Sequence, residues 1–334
     1  MESKEMGRVC VTGGTGYVGS WLIMRLLQHG YSVNTTIRSH PDRKRDIKYL
    51  TELEGASERL QIFNADMNKP QSFTAAIEGC VGVFHVAQPV DMEEEEEEVN
   101  ETKVKSVITA TLAILQACVD SKTVKQVVYT SSVTAVILND KGLDIVDESS
   151  WSDVDFIKFA KPLLPCYSTC KTLTEKAAIE FAAKNQLHLV SVAASWIHGP
   201  FITPHCPFTV QIFLDMIFGN GEGVLEQQKY IPFVHVDDVV NAHIFLFEHP
   251  NANGRYICSS GETTIYELSK FLSARYPQYQ IPILEGSMEG ISGLKYPTLS
   301  VKKLLHTGFK FKYYGQLEEM YDGAIECCKI RGLL

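Results

Sequence analysis

The sequence predicts an α/β fold, a doubly wound parallel sheet joined to a smaller second lobe. Three observations carry this. Short apolar runs alternate with helix-length amphipathic segments through the first half of the 334 residues. The first run feeds a glycine-rich turn that opens at once into a helix. The alternation then lapses near residue 195, where prolines and glycines gather. Strands separated by helices of this length pair in parallel through right-handed crossovers.

In chain order, strands are expected at 8–11, 32–37, 60–64, 82–86 and 126–130, with helices at 19–28, 44–52, 71–77 and 99–120. A helix from about 167 to 184 and a strand at 187–193 complete this half. Beyond it, Pro200, Pro204, Pro207 and the glycines at 219, 221 and 223 mark loops, and 237–248 and 265–275 have helical patterning. The chain divides into a sheet unit, 1–194, and a stretch, 195–334, that mainly forms a lobe closing over it, with segments able to return to the sheet.

Composition narrows the function. Hydrophobic residues make up 45% and charged residues 21%, ordinary for a globular protein. A formal net charge of −9 argues against nucleic acid or an anionic membrane as partner. No apolar run approaches the roughly 20 residues of a membrane span, so membrane insertion is not expected. The polar N-terminus leads straight into the first strand, so no signal or transit segment is expected. The nine cysteines are scattered without metal spacing and read as reduced thiols of a cytoplasmic protein. Six consecutive glutamates, 93–98, read as a solvated loop or helix start. The alternative is a flap at the mouth of a cleft that repels anions.

The chemistry begins at Val9-Cys10-Val11-Thr12-Gly13-Gly14-Thr15-Gly16-Tyr17-Val18-Gly19-Ser20. A strand, a glycine loop and a helix N-terminus bring backbone N–H groups against a pyrophosphate. Gly13 suits the tight turn, Gly16 lets the backbone approach phosphate, and Gly19 lets the helix lie close to the sheet. At the end of the second strand an acid would hold the ribose hydroxyls of NAD. Arg38 stands there instead, followed by Arg43, Lys44 and Arg45. A guanidinium suits a 2′-phosphate, which favours NADP over NAD. The bland alternative is a basic cluster on a solvent face. Asp66 and Met67, closing a later strand, suit an adenine amine and its ring, or a simple turn.

Tyr167 and Lys171 stand at i and i+4, so a helix places them on one face. Tyrosine ionises near pH 10, and a neighbouring ammonium is expected to ease that ionisation. The hydroxyl pair Ser131-Ser132 ends the strand at 126–130, where ligands sit in open α/β sheets. Together these residues suit proton transfer to a carbonyl oxygen beside a nicotinamide.

These features resemble the extended short-chain dehydrogenase/reductases, which are Rossmann-type proteins, and within them the plant dihydroflavonol reductase-like group. The likeness rests on Val11 to Trp21, Val83-Phe84-His85-Val86-Ala87, Val128-Tyr129-Thr130-Ser131-Ser132, Glu148-Ser149-Ser150-Trp151-Ser152-Asp153, Tyr167 to Lys171, Gly199-Pro200-Phe201, Val234-His235-Val236-Asp237-Asp238 and Gly254-Arg255-Tyr256-Ile257-Cys258. Gly7 to Cys10 and Tyr31 to Arg38 are nearest to its vestitone reductase branch, and Val86-Ala87-Gln88 with 201–205 to an alkaloid branch. The resemblance implies an NADP(H) enzyme with Ser132, Tyr167 and Lys171 as catalytic residues. It implies cofactor contacts from Thr12, Gly13, Thr15, Gly16, Tyr17, Val18, Gly19, Arg38, Lys44, Arg45, Asp66, Met67, Val86, Ala87, Tyr167, Lys171 and Ser195. Gln88, Val133, Ile137, Leu164, Trp196 and residues from 205 to 228 would line the pocket of an aromatic plant metabolite. Reduction of a flavonoid-like ketone, the reverse oxidation, and a cofactor-binding regulator without turnover all fit. A small-molecule partner and a monomer or weak homodimer are expected, and His235 and Asp237 are expected to serve packing.

The chain departs from that pattern in three places. Ile137 replaces an asparagine five residues after Ser132, Ser195 replaces a proline, and Val107 stands where many relatives carry a polar relay residue. Cys166 and Cys170, flanking Tyr167 and Lys171, read as packed thiols, with oxidation sensitivity as the alternative.

Overall fold

The first strand, β1 (Arg8–Thr12), runs through the glycine turn into α1 (Tyr17–Gln28). In the computed structural model, which describes residues 6–38, 46–88, 99–219, 225, 230–284 and 297–334, β1 lies inside a seven-stranded sheet. β2 (Ser32–Ile37) and β3 (Leu60–Asn64) extend it on one side. On the other come β4 (Gly82–His85), β5 (Gln126–Ser132) and β6 (His188–Ala194). The chain then leaves the sheet through β7 (Trp196–His198) and β8 (Ile231–His235) and returns with β9 (Gly254–Cys258), which pairs with β6. The order β9-β6-β5-β4-β1-β2-β3 is parallel at every pairing.

Alternation along the strands distributes the core, since successive side chains point to opposite faces. Val9 and Val11 face one layer, built on α1 and on the helix Val236–Glu248, while Cys10 faces the other. In chain order the helices are α2 (Glu101–Asp120), α3 (Pro165–Lys184), α4 (Phe208–Phe218) and α5 (Val236–Glu248). Trp21 Nε1 and Arg25 Nε of α1 both donate to Asp237 of α5, at 2.8 and 2.6 Å, which ties the two helices of one layer together. His235 caps α5 by accepting from the Asp237 N–H, so both residues serve packing.

α2 lies against the sheet beside α3, with Ile114, Leu115 and Cys118 in the core. By length and composition alone α2 would be long and apolar enough to cross a membrane. Two helices differ from the sequence expectation in other ways. Of the segment 44–52, the described part forms only Lys48–Thr51, and 71–77 splits into a 3-10 turn, Pro70–Phe73, and a short helix, Thr74–Ile77. The glutamate run lies outside the described residues. Beyond β8, β10 (Gly261–Thr263), α6 (Ile265–Arg275) and α7 (Leu317–Ile330) build the second lobe around Phe213, Phe233, Leu268 and Tyr321.

Candidate active site

A cavity of about 560 Å³ opens at the carboxyl ends of the sheet strands. At its β1 end the glycine turn is shaped by contacts that exclude any side chain. Gly13 is left-handed at φ +74°, and a Cβ there would stand 3.0 Å from Ala87 Cα. A Cβ on Gly19 would stand 2.3 Å from the Gly13 carbonyl oxygen. The constraint at Gly19 is therefore closure of the loop onto its own helix, and not only helix against sheet. Gly14, which motif spacing did not single out, is just as constrained: its Cβ would lie 2.0 Å from Thr35 Oγ1. Gly16 is exposed at the N-cap of α1 without a side-chain cap. The first N–H groups of α1 have no acceptor inside the helix. Thr15, Gly16, Tyr17, Val18 and Gly19 all line the cavity.

Thr12 stands behind this turn rather than on the wall. Its hydroxyl oxygen accepts from the N–H groups of Val86 and Ala87, both at 3.1 Å, so its proton goes to His85 Nδ1 at 2.9 Å. Burial holds His85 down to about 3, so the ring stays neutral. Thr12 thereby fixes the loop of Val86, Ala87 and Gln88, which lines the cavity. Arg38, exposed just past β2, also borders the cavity, while Lys44 and Arg45 lie outside the described residues. Asp66 and Met67 line the same end. Asp66 also holds its own turn by accepting from the Asn68 N–H at 3.0 Å, so both readings of that residue apply.

At the β5 end, Ser132, Val133, Leu164, Tyr167, Lys171, Ser195 and Trp196 line the cavity. α3 begins with Pro165 at its first turn, a position where a missing N–H is harmless. The residue before it, Leu164, is held at φ +58°, a strained backbone for a branched side chain on the cavity wall. Tyr167 and Ser132 face the cavity together, close enough for the Ser132 hydroxyl to act on the phenol. Ser132 Oγ accepts from the Thr134 N–H at 3.2 Å and from the Thr134 hydroxyl at 3.1 Å, which leaves its own proton for Tyr167. Burial raises Tyr167 above the usual tyrosine value, with the Ser132 hydroxyl pulling the other way. The expected easing by Lys171 is absent from this balance. Lys171 Nζ lies 5.7 Å from the Tyr167 ring centre and donates to the Thr130 carbonyl at 2.9 Å. Burial lowers Lys171 to about 8, against the opposing charge of Glu175. The Thr130 hydroxyl donates to His243 Nε2 at 2.8 Å, because His243 Nδ1 gives its proton to the Val239 carbonyl.

One expected pocket residue does not reach this wall. Ile137 follows the 3-10 turn Val133–Ala135, which carries it into a cluster with Val133, Val146, Ile257 and Leu299. Val107 points to Cys166 and Cys170. Both thiols are buried, and burial pushes Cys170 up to about 12, which fits packing better than reactivity. Of the segment 205–228, residues 207–209 line the cavity, and much of 220–229 lies outside the described residues. Sequence reasoning missed Gly14, Thr36, Thr134 and Leu163. Only Gly14, beside the glycine motif, carried a local signal.

The residues present fit a dinucleotide. The glycine turn keeps its tight path, open to the cavity, only without side chains at Gly13, Gly14 and Gly19. Farther along the same cavity, Ser195 Oγ and Gln88 Nε2 are buried with no hydrogen-bond partner among the described residues, although Ser195 is only 5% exposed. Both stand where a bound ligand can supply the missing partner. Fold and site together define the class of nicotinamide-dinucleotide proteins built on a Rossmann-type sheet. The chain belongs to the NAD dependent epimerase/dehydratase family, whose pattern matches residues 9–258. It is 49% identical to vestitone reductase of Medicago sativa over 332 residues, 99% of this chain and 100% of that protein. It is 43% identical to a dihydroflavonol 4-reductase of Callistephus chinensis, over 100% of this chain and 90% of that one. The crystal structure of alfalfa vestitone reductase superposes with a TM-score of 0.84 at 46% identity, covering 98% of this chain and all of the other.

Proposed function

We propose that this protein is an NADPH-dependent reductase that delivers hydride to a ketone of a flavonoid-type aromatic plant metabolite, an isoflavanone ketone being the first candidate. The observation that carries the reading is that Ser132, Tyr167 and Lys171 meet on one cavity wall, Lys171 one turn along the same helix as Tyr167. NADPH supplies the hydride when bound in the glycine cradle, and the chain's own groups do the rest. Ser132 presents its proton to the carbonyl oxygen and holds the ketone in place. Tyr167, protonated at neutral pH, gives its phenol proton to that oxygen as charge develops. Lys171, its ammonium 5.7 Å from the phenol ring centre, would hold the nicotinamide ribose. Arg38, with Lys44 and Arg45 following it in sequence, would hold the 2′-phosphate, and Asp66 and Met67 would receive the adenine.

In this reading residues 1–194 form the nucleotide unit and 195–334 mainly the ketone-binding lobe, with α5 and β9 belonging to the sheet. Thr12 acts behind the wall by holding the loop of Val86 and Ala87. Gln88, Val133, Leu164, Ser195 and Trp196 face the ligands. The enzyme works in the cytoplasm on small molecules, as a monomer or weak homodimer, without membrane or nucleic acid. NADPH oxidation at 340 nm against a panel of isoflavanones and flavanonols tests this. Turnover should fall by roughly 10²- to 10⁴-fold in Tyr167→Phe while NADPH binding persists. Tight NADPH binding with no turnover of any carbonyl would make the protein a cofactor-binding regulator instead.

A further inference from the structure

Behind the catalytic wall lies a buried ion pair that the reaction itself does not use. Glu175, two turns beyond Tyr167 on α3, is fully buried, and Arg255 of β9 is 6% exposed. The guanidinium grips both carboxylate oxygens, Nε to Oε1 at 3.0 Å and Nη2 to Oε2 at 3.1 Å. It lies flat on Trp151, 3.5 Å from the ring centre, and donates to the carbonyls of Glu148 and Ser150. Each carboxylate oxygen takes one more hydrogen bond, from Ser131 Oγ at 2.8 Å and from Ser191 Oγ at 2.5 Å. Burying such a pair is costly, and well-packed apolar residues would often serve stability as well.

What the pair holds explains its place. Ser131 immediately precedes Ser132 on β5, and its hydroxyl leaves the strand on the face toward α3. Ser191 sits on the neighbouring strand, opposite Tyr129, and carries no chemistry. Both serines are buried and both bind the same carboxylate. They differ in that Ser131, its hydroxyl committed to Glu175, adjoins the catalytic pair and borders the cavity, whereas Ser191 does neither.

We propose that Glu175 is a positioning residue: through the Ser131 hydroxyl it pins the end of β5 to α3 and so sets the approach of Ser132 to Tyr167. This rests on the reductase reading above. A displacement of about 1 Å at such a contact is enough to slow catalysis by up to 10²-fold.

Ser131→Ala and Ser191→Ala each remove one hydrogen bond to Glu175 at matched burial, so a purely structural role affects them alike. In Ser131→Ala, kcat should fall about tenfold or more, with KM for NADPH and for the ketone within about twofold of wild type. In Ser191→Ala, kcat should stay within about twofold. Thermal midpoints should drop by similar amounts in the two. The ionisation of Tyr167, read as tyrosinate absorbance against Tyr167→Phe, gives a measure that needs no turnover. It should move to higher pH in Ser131→Ala, where Ser132 is free to draw away from the phenol, and stay in place in Ser191→Ala. Equal losses of kcat in the two variants, or an unmoved Tyr167 in Ser131→Ala, would overturn the proposal. A wild-type protein that reduces no ketone would instead sink the functional reading, and the tyrosinate titration would still decide this one.

Discussion

At the β1 end of the cavity the chain faces its ligand with backbone; at the β5 end it does so with side chains. The glycine cradle works by excluding atoms, at Gly13, Gly14 and Gly19, and offers helix N–H groups. The ketone end depends on side chains gathered from distant places: Thr134 donates to Ser132, Lys171 to the Thr130 carbonyl and the Thr130 hydroxyl to His243, beside Tyr167 and backed by Glu175 and Arg255. The first kind of site is encoded within about ten residues. The second is assembled from places more than a hundred residues apart.

The comparison can be broken at each end. Gly19→Ala drives a methyl into the Gly13 carbonyl, so NADPH affinity should fall by 100-fold or more, roughly 3 kcal/mol, with the tyrosinate titration of Tyr167 unchanged. Equilibrium binding by fluorescence measures it, and wild-type affinity would show that the loop yields. Arg38→Ala should weaken NADPH by about 10- to 100-fold, the range of a charge-assisted hydrogen bond, and leave NADH binding as it was. Equal losses for the two cofactors would refute the 2′-phosphate role.

The smallest effect concerns pH. Burial depresses Lys171 to about 8, and its ammonium is the form that reduction uses. The rate should hold steady below that pH and decline above it, approaching roughly tenfold per further unit. Tyr167 stays protonated across this range because burial raises it. A kcat/KM profile flat to pH 10 would remove Lys171 from the mechanism.

The same contrast explains what the sequence revealed. The glycine turn, the Tyr167–Lys171 pair and the first strands are local patterns with their own spacing, and they stand where motif and period placed them. β9 was visible only as a family motif, because nothing in Gly254 to Cys258 says that it pairs with β6. α4 escaped notice since it is apolar nearly all round and follows a run of prolines. Ile137 was misplaced because a 3-10 turn, which has no strong sequence signal, rotates the chain after Ser132. Glu175 lies one turn past Lys171, yet its partner Arg255 is 80 residues away.

Tyr17 opens α1, lines the cavity, and donates through its hydroxyl to the Gly199 carbonyl at 3.1 Å. Gly199 sits at φ +131°, where an added Cβ would press on His235. A single phenol thus bridges the cradle and the lip of the opposite lobe. The first turn of the helix that begins at the glycines is thereby tied to the bend that carries the chain out of the sheet.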